Sequence, residues 1–264
     1  MTERLDQQLS DSDTLRESEM SLLEHLGELR TRLVFSALAI VVGAVFAYSI
    51  IGELLSVFSR PFELAFSESQ MIGTGPAEAF ILKLKFAFFA GIVLASPVVF
   101  FQIWLFVSPG LHEHERKLAL PFLFFTTALF VGGITFCYFA VLPFAYEFFA
   151  EQYRSIGIAP TIRISEHLTF LVRVLLVFGI VFEMPVLAFF LGRIGIITDR
   201  MLIGWFRHAV VVIFIVAAIL TPPDVVTQFL MALPLLALYG VSILLVRYTA
   251  PKESSNNSVK NTNT

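Results

Sequence analysis

The chain of 264 residues is 57% hydrophobic and 15% charged, with a formal net charge of −3. With a mean hydropathy of +0.81, this composition excludes a soluble domain and describes a polytopic membrane protein, and it leaves no basic surface for nucleic acid. The single cysteine, Cys137, lies inside an apolar run, which excludes a disulfide framework or thiolate metal cluster and reads as a small buried side chain.

Residues 1–20 carry Glu3, Asp6, Asp11, Asp13, Glu17 and Glu19 against Arg4 and Arg16. That is the opposite of the basic start of a signal peptide, so the segment reads as a disordered acidic cytosolic tail. The Ser/Asn-rich residues 251–264 read as a second one, which leaves 21–250 as the membrane domain. Ser21 followed by Glu24 forms a capping box that starts a helix. Leu22, Leu26, Leu29 and Leu33 then fall on one apolar stripe, while Glu24, Glu28 and Arg32 line the polar side. Glu28 and Arg32 are a favourable i,i+4 pair, and Arg30 projects from the other flank. A helix of this kind lies at the bilayer surface. It is either a solvated anchor for the first span or a presenter of carboxylates and guanidiniums to a ligand.

Hydropathy predicts six kinked transmembrane helices over about 33–51, 86–108, 118–143, 168–192, 205–220 and 225–246. The fifth, sixteen residues at about 1.5 Å each, reaches only about 24 Å and predicts local bilayer thinning. A re-entrant hairpin is the alternative there. Twelve of the 18 Lys and Arg fall on the side of the termini and the second and fourth loops, which the positive-inside rule makes cytosolic. The first and third loops, about 52–85 and 144–167, are then long and external, and apolar pieces such as Ile158-Ala159-Pro160 predict a structured cap. Pro97, Pro185 and Pro234 inside spans, with Pro121 and Pro143 near span ends, predict bent helices and a concave body.

Three further places carry candidate chemistry. The second loop, from Ser108 to Lys117, contains His112, Glu113, His114 and Glu115; Arg116 stands where a zinc-protease motif needs its second His, so no metal is expected. Glu28 and Glu115 together form a pair of acidic acceptors for a cationic ligand, or else ordinary headgroup-level charge. Glu183 lies within the fourth span beside Pro185, where a carboxyl group costs at least about 2.5–3.5 kcal/mol to insert and therefore faces protein, a partner or water. Its other reading is a hydrogen bond to a carbonyl freed by proline. Asp224, after Pro222-Pro223, is placed to cap the sixth span through amides near Thr227 or Gln228.

Five ordered stretches resemble the TatC family, the polytopic receptor subunit of twin-arginine protein translocases. They are His25-Leu26-Gly27-Glu28-Leu29-Arg30-Thr31-Arg32-Leu33, Pro76-Ala77-Glu78-Ala79-Phe80, Phe106-Val107-Ser108-Pro109-Gly110-Leu111 with His114-Glu115-Arg116, Phe182-Glu183-Met184-Pro185, and Leu220-Thr221-Pro222-Pro223-Asp224. The long acidic tail and His112-Glu113 depart from the family pattern. The resemblance implies an inner-membrane receptor, not an enzyme, that binds the twin-arginine signal peptides of folded cargo. Export would be driven by the proton motive force. It implies signal-peptide binding by Glu28, Arg30, Glu115 and the adjacent Phe106. It links Glu183 and Asp224 to assembly with TatA- and TatB-type single-span partners in a multimeric complex. No cofactor is expected, since no nucleotide-binding glycine loop is present. The alternative is a proton-coupled small-solute transporter using Glu183. An intramembrane hydrolase ranks below it, lacking a Gly-x-Ser-x-Gly elbow or paired aspartates.

Overall fold

The computed structural model describes residues 2–67, 69, 71–108, 119–221 and 224–249, with backbone alone over 2–24 and at 119. In chain order the elements are α1 (Thr2–Ser49), α2 (Ile51–Ala65), β1 (Met71–Ile72), α3 (Glu78–Val107), α4 (Ala119–Phe136), a π turn (Cys137–Val141) and α5 (Leu142–Ser155). There follow β2 (Ile162–Arg163), α6 (Ile164–Val181), α7 (Met184–Arg193), α8 (Asp199–Leu220) and α9 (Val225–Thr249). Among the described residues, 6 helical stretches are long and apolar enough to cross a membrane, and each overlaps one expected span. The chain divides into two compact units, residues 1–54 with 83–127 and residues 55–82 with 128–264.

In the first unit, α1 and α3 cross where two glycines meet. A Cβ on Gly91 would lie 2.6 Å from the Ala44 nitrogen and 2.7 Å from the Ile40 oxygen, and one on Gly43 would lie 2.9 Å from the Gly91 oxygen. Small residues let two backbones touch, which is how helices associate where lipid removes the hydrophobic drive. Trp104 on α3 packs on Phe122 of α4 with ring centroids 4.9 Å apart. Pro97 inside α3 deprives the Val93 carbonyl of its usual amide, and the Ser96 hydroxyl donates to that oxygen at 2.7 Å instead. The described helix begins at Thr2, ahead of the start expected at Ser21. No Pro or Gly interrupts residues 2–26, and a capping box with no break before it simply continues the helix.

In the second unit, α4 and α6 cross at Gly133 and Gly179. A Cβ on Gly133 would meet the Phe178 oxygen and the Phe182 ring at 2.7 Å, and one on Gly179 would meet the Phe130 ring at 2.8 Å. Leu171, Val174, Leu175 and Phe178 carry the buried face of α6. The α9 helix packs along α7 and α8: Val246 meets Gly192, and the Tyr239 hydroxyl donates to the Leu202 carbonyl at 2.7 Å.

The two long interhelix segments are structured, as their apolar content predicts. Strands β1 and β2 pair in parallel, Met71 opposite Ile162 and Ile72 opposite Arg163. Phe62 of α2 stacks on Phe66 and meets both Tyr146 and His167. Arg154 of α5 donates to the Ala65 carbonyl at 3.1 Å, and Tyr138 donates to the Val57 carbonyl at 2.7 Å.

The first two spans begin about eight residues earlier than expected, and the next three differ in extent or continuity. The third continues to Ser155 as a 36-residue helical stretch, because the chain widens to a π turn just before Pro143, with the Leu142 amide donating to the Cys137 carbonyl. That widening relieves the clash a proline ring makes with the preceding turn. The fourth is two helices rather than one kinked helix, broken at Phe182 and Glu183 ahead of Pro185. The fifth is a 22-residue helix, about 33 Å long. Its shortfall disappears because Met201, Leu202 and Ile203 extend the apolar run. Thr198 caps its start by accepting the Met201 amide at 3.3 Å, and Gly195, at φ 79°, turns the chain out of α7 just before.

Candidate functional site

The register of the α1–α3 crossing builds a polar cluster at one end of the first unit. Arg32 and Gln102 each lie eleven residues from the touching glycines, in opposite chain directions, so the antiparallel pair brings them level. The Arg32 guanidinium donates through Nη2 to Glu28 Oε1 at 3.1 Å and through Nη1 to Gln102 Oε1 at 3.4 Å. Both members of the ion pair are half-buried, with 28% and 30% of their side-chain surface exposed. One turn nearer the helix start, the His25 ring stacks on Phe106, with centroids 4.4 Å apart and planes 23° apart. Glu28 Oε2 has no partner among the described residues. The cluster therefore offers one tethered carboxylate, open on one side, beside an aromatic face.

The expected Glu28–Arg32 pair is present. Arg32 bridges two helices, whereas Arg30 is exposed. Phe106 is brought into the cluster. Glu115, His112 and Glu113 lie outside the described residues. Gln102, Arg32 and His25 were not singled out from the sequence as site residues. For Gln102 a signal exists: it is a polar residue within the otherwise apolar run 97–107 of α3, one turn before Phe106, and so shares its face.

Glu183 occupies a different setting. It stands at the break between α6 and α7, 7% exposed, with the Phe130 backbone against its carboxyl group. Its Oε1 atom is buried without a hydrogen-bond partner among the described residues. The close α4–α6 approach at Gly133 and Gly179 holds Phe130 and Phe182 around it. Asp224 is the helix cap expected of it: Oδ1 accepts the Thr227 amide at 2.7 Å and Oδ2 accepts the Thr227 hydroxyl. Pro222 and Pro223 lie outside the described residues. Four residues on, Gln228 donates from Nε2 to the Phe214 carbonyl at 3.0 Å, which ties α9 back to α8.

Glu78, noticed in the sequence only as part of a motif, has a structural task. Its Oε2 atom accepts the amides of Thr74 and Gly75, at 2.5 and 3.1 Å, and the Thr74 hydroxyl at 3.1 Å. The Ser165 side chain lies beside this carboxylate. One side chain thus closes the turn ahead of α3, next to the start of α6. Among the described residues no group of His, Cys, Asp and Glu could hold a metal ion.

Comparison with known proteins agrees with this architecture. The family model for the Sec-independent protein translocase protein TatC matches residues 24–234. The chain is 42% identical to the Helicobacter pylori (strain ATCC 700392 / 26695) Sec-independent protein translocase protein TatC over 238 residues, covering 89% of this chain and 92% of that one. It is 40% identical to the Campylobacter jejuni protein of the same name, covering 90% and 98%. A crystal structure of the twin-arginine translocase receptor TatC superposes with a TM-score of 0.77 at 34% identity, covering 84% of this chain and 97% of that one. A second crystal structure of that receptor, in DDM, gives 0.79 with coverage of 84% and 99%. None of these supports the small-solute transporter. Together they show that the chain belongs to the TatC family, as a multi-pass, non-enzymatic component of the Sec-independent protein translocase.

Proposed function

We propose that this protein is the receptor that reads paired arginines in the signal peptides of folded cargo, and that Glu28 is the acceptor the described residues supply. The observation that carries this reading is the half-buried Glu28, tethered by Arg32 and Gln102 with its second oxygen open. A guanidinium presents a planar fork that carboxylate oxygens match in a bidentate way, whereas a lysine offers a point charge. Arg32 fixes the carboxylate in place before the ligand arrives, which lowers the ordering cost of binding. Glu115, on the adjoining loop, supplies the second carboxylate, and Phe106 with His25 the apolar flank.

Magnitudes limit what charge alone does. Charge-assisted hydrogen bonds contribute about 1.5–3 kcal/mol each, so two arginines supply roughly 3–6 kcal/mol. Micromolar affinity requires about 8.2 kcal/mol. Burial of the signal peptide's apolar stretch, at about 25 cal/mol per Å², supplies the remainder. Recognition is therefore bipartite, with arginines at the membrane rim and an apolar helix beyond it.

In this reading both termini are cytosolic, the protein resides in the inner membrane, and α2, α5 and the β1–β2 pair face the opposite side. Glu183 supports a second role. A buried carboxyl with an unpartnered oxygen suits a polar group on an incoming single-span helix of the TatA or TatB type. The proton motive force drives transport, since charge moved across a membrane releases about 2.3 kcal/mol per 100 mV.

The experiment is export of a twin-arginine reporter in cells lacking their own receptor, complemented with this chain. Wild type restores export and Glu28→Gln with Glu115→Gln abolishes signal-peptide crosslinking. Glu183→Ala keeps crosslinking but loses partner contact and transport. Unchanged crosslinking in the double variant overturns the receptor site, and normal transport by Glu183→Ala overturns the partner site.

A further inference from the structure

A cavity of about 1090 Å³ lies wholly within the second unit, and Glu183 is not part of its lining. Its wall is formed by Phe148, Phe149 and Gln152 of α5, by one face of α6, and by Ile219 and Leu220 at the end of α8. Because α8 ends and α6 begins at this level, the cavity sits at a membrane boundary, where an occupant has one polar and one apolar part.

Two observations on α6 define the polar part. Glu166, Thr169, Phe170 and Arg173 line the cavity at i, i+3, i+4 and i+7, with Arg163 just before the helix. Neither arginine forms an ion pair among the described residues, and both are exposed. The two guanidiniums in the lining are balanced in formal charge by Glu166 and Asp224, but both Asp224 oxygens are engaged by Thr227, whereas Arg163 and Arg173 donate to no carboxylate among the described residues. The first turn of α6 lacks a side-chain cap, so its amides add positive potential at that end.

Independently, His167 lines the same cavity while only 3% exposed, and its Nε2 atom is buried with no partner among the described residues. Its Nδ1 atom is 3.0 Å from the Tyr146 hydroxyl. That hydroxyl, itself buried, has no other acceptor among the described residues, so it donates to Nδ1 and leaves the ring proton on Nε2. A buried, unused donor thus accompanies two unpaired guanidiniums and a helix start, while the aromatic wall beside them is apolar.

We propose that this cavity binds the phosphate of a membrane phospholipid, with Arg163, Arg173 and His167 Nε2 as donors and the acyl chain along Phe148, Phe149, Phe170 and Ile219. The cavity is far larger than a phosphate group, and its wall is too apolar for a free inorganic ion. A phospholipid held there would fasten the α5–α6 region to one leaflet.

The test is native mass spectrometry of the detergent-solubilised full-length chain with three probes: phosphatidylglycerol, diacylglycerol and inorganic phosphate. Phosphatidylglycerol is expected to be retained at about tenfold or higher affinity than diacylglycerol, with inorganic phosphate failing to displace it. Arg163→Gln with Arg173→Gln, at exposed positions that leave packing intact, loses that preference, whereas Arg60→Gln, outside the cavity, keeps it. Equal retention of diacylglycerol, displacement by inorganic phosphate, full retention by the double variant, or an equal loss in Arg60→Gln would each overturn the proposal.

Discussion

Two regions of this protein hold carboxylates in opposite ways. In the first unit Glu28 is half-exposed, tethered from one side by Arg32 and open on the other. In the second unit Glu183 is 7% exposed and has an oxygen with no partner. The first arrangement suits a charged ligand that arrives and leaves, because neither bound nor free state strands a buried charge. The second suits a partner that stays, because an unsatisfied buried carboxyl costs free energy until something pairs with it. Both depend on a glycine crossing, Gly43 with Gly91 in one unit and Gly133 with Gly179 in the other.

The largest effect is therefore expected from the crossings themselves. Gly133→Val drives carbon into the Phe178 carbonyl and the Phe182 ring and should cost about 1–3 kcal/mol, read as a lower Tm in detergent with loss of transport. Its neighbour Gly132 faces open space, so Gly132→Ala should be neutral or stabilising by up to about 1 kcal/mol. Matching losses for the two would refute the crossing. Gly91→Val should separate α1 from α3 and abolish twin-arginine binding while leaving the second unit's thermal transition in place.

Next comes Glu28→Gln, which keeps the shape but not the charge. Binding of a twin-arginine peptide should fall by about ten- to a hundredfold, with Tm unchanged, by titration calorimetry or crosslinking. A smaller effect is expected at Asp224: removing the cap with Asp224→Ala should cost about 1 kcal/mol, and Asp224→Asn should recover most of it. Smallest is Gln102→Ala, which frees the Arg32 fork without touching the carboxylate. A several-fold weaker peptide affinity is expected, through a larger ordering cost at Arg32 and Glu28 rather than loss of contact.

Much of this was readable from the residue pattern, for reasons that differ by element. Six apolar runs, the Glu28–Arg32 pair and the Asp224 cap are local, so spacing along one helix suffices. The long third span was not readable, because Pro143 normally ends a helix and only the π turn at Cys137–Val141 lets the chain continue. The break at Phe182 and Glu183 was read as a bend, since a proline signals disruption but not its degree. Gln102 and Glu78 were missed as working residues because their partners lie on other segments: the Gly43–Gly91 register makes Gln102 an anchor for Arg32, and the approach of α6 gives Glu78 its Ser165 contact. Glu115 rests on its place in the sequence and on the resemblance, being outside the described residues.

The central claim is that a tethered acidic group discriminates paired guanidiniums from paired ammoniums. The most direct measurement is a two-by-two cycle: affinity of the purified chain, wild type and Glu28→Gln, for a twin-arginine peptide and its twin-lysine counterpart. The account predicts that wild type holds the arginine peptide at least tenfold more tightly and that Glu28→Gln loses most of that preference. Equal affinities for the two peptides in wild type, or a preference that survives intact in Glu28→Gln, would contradict it.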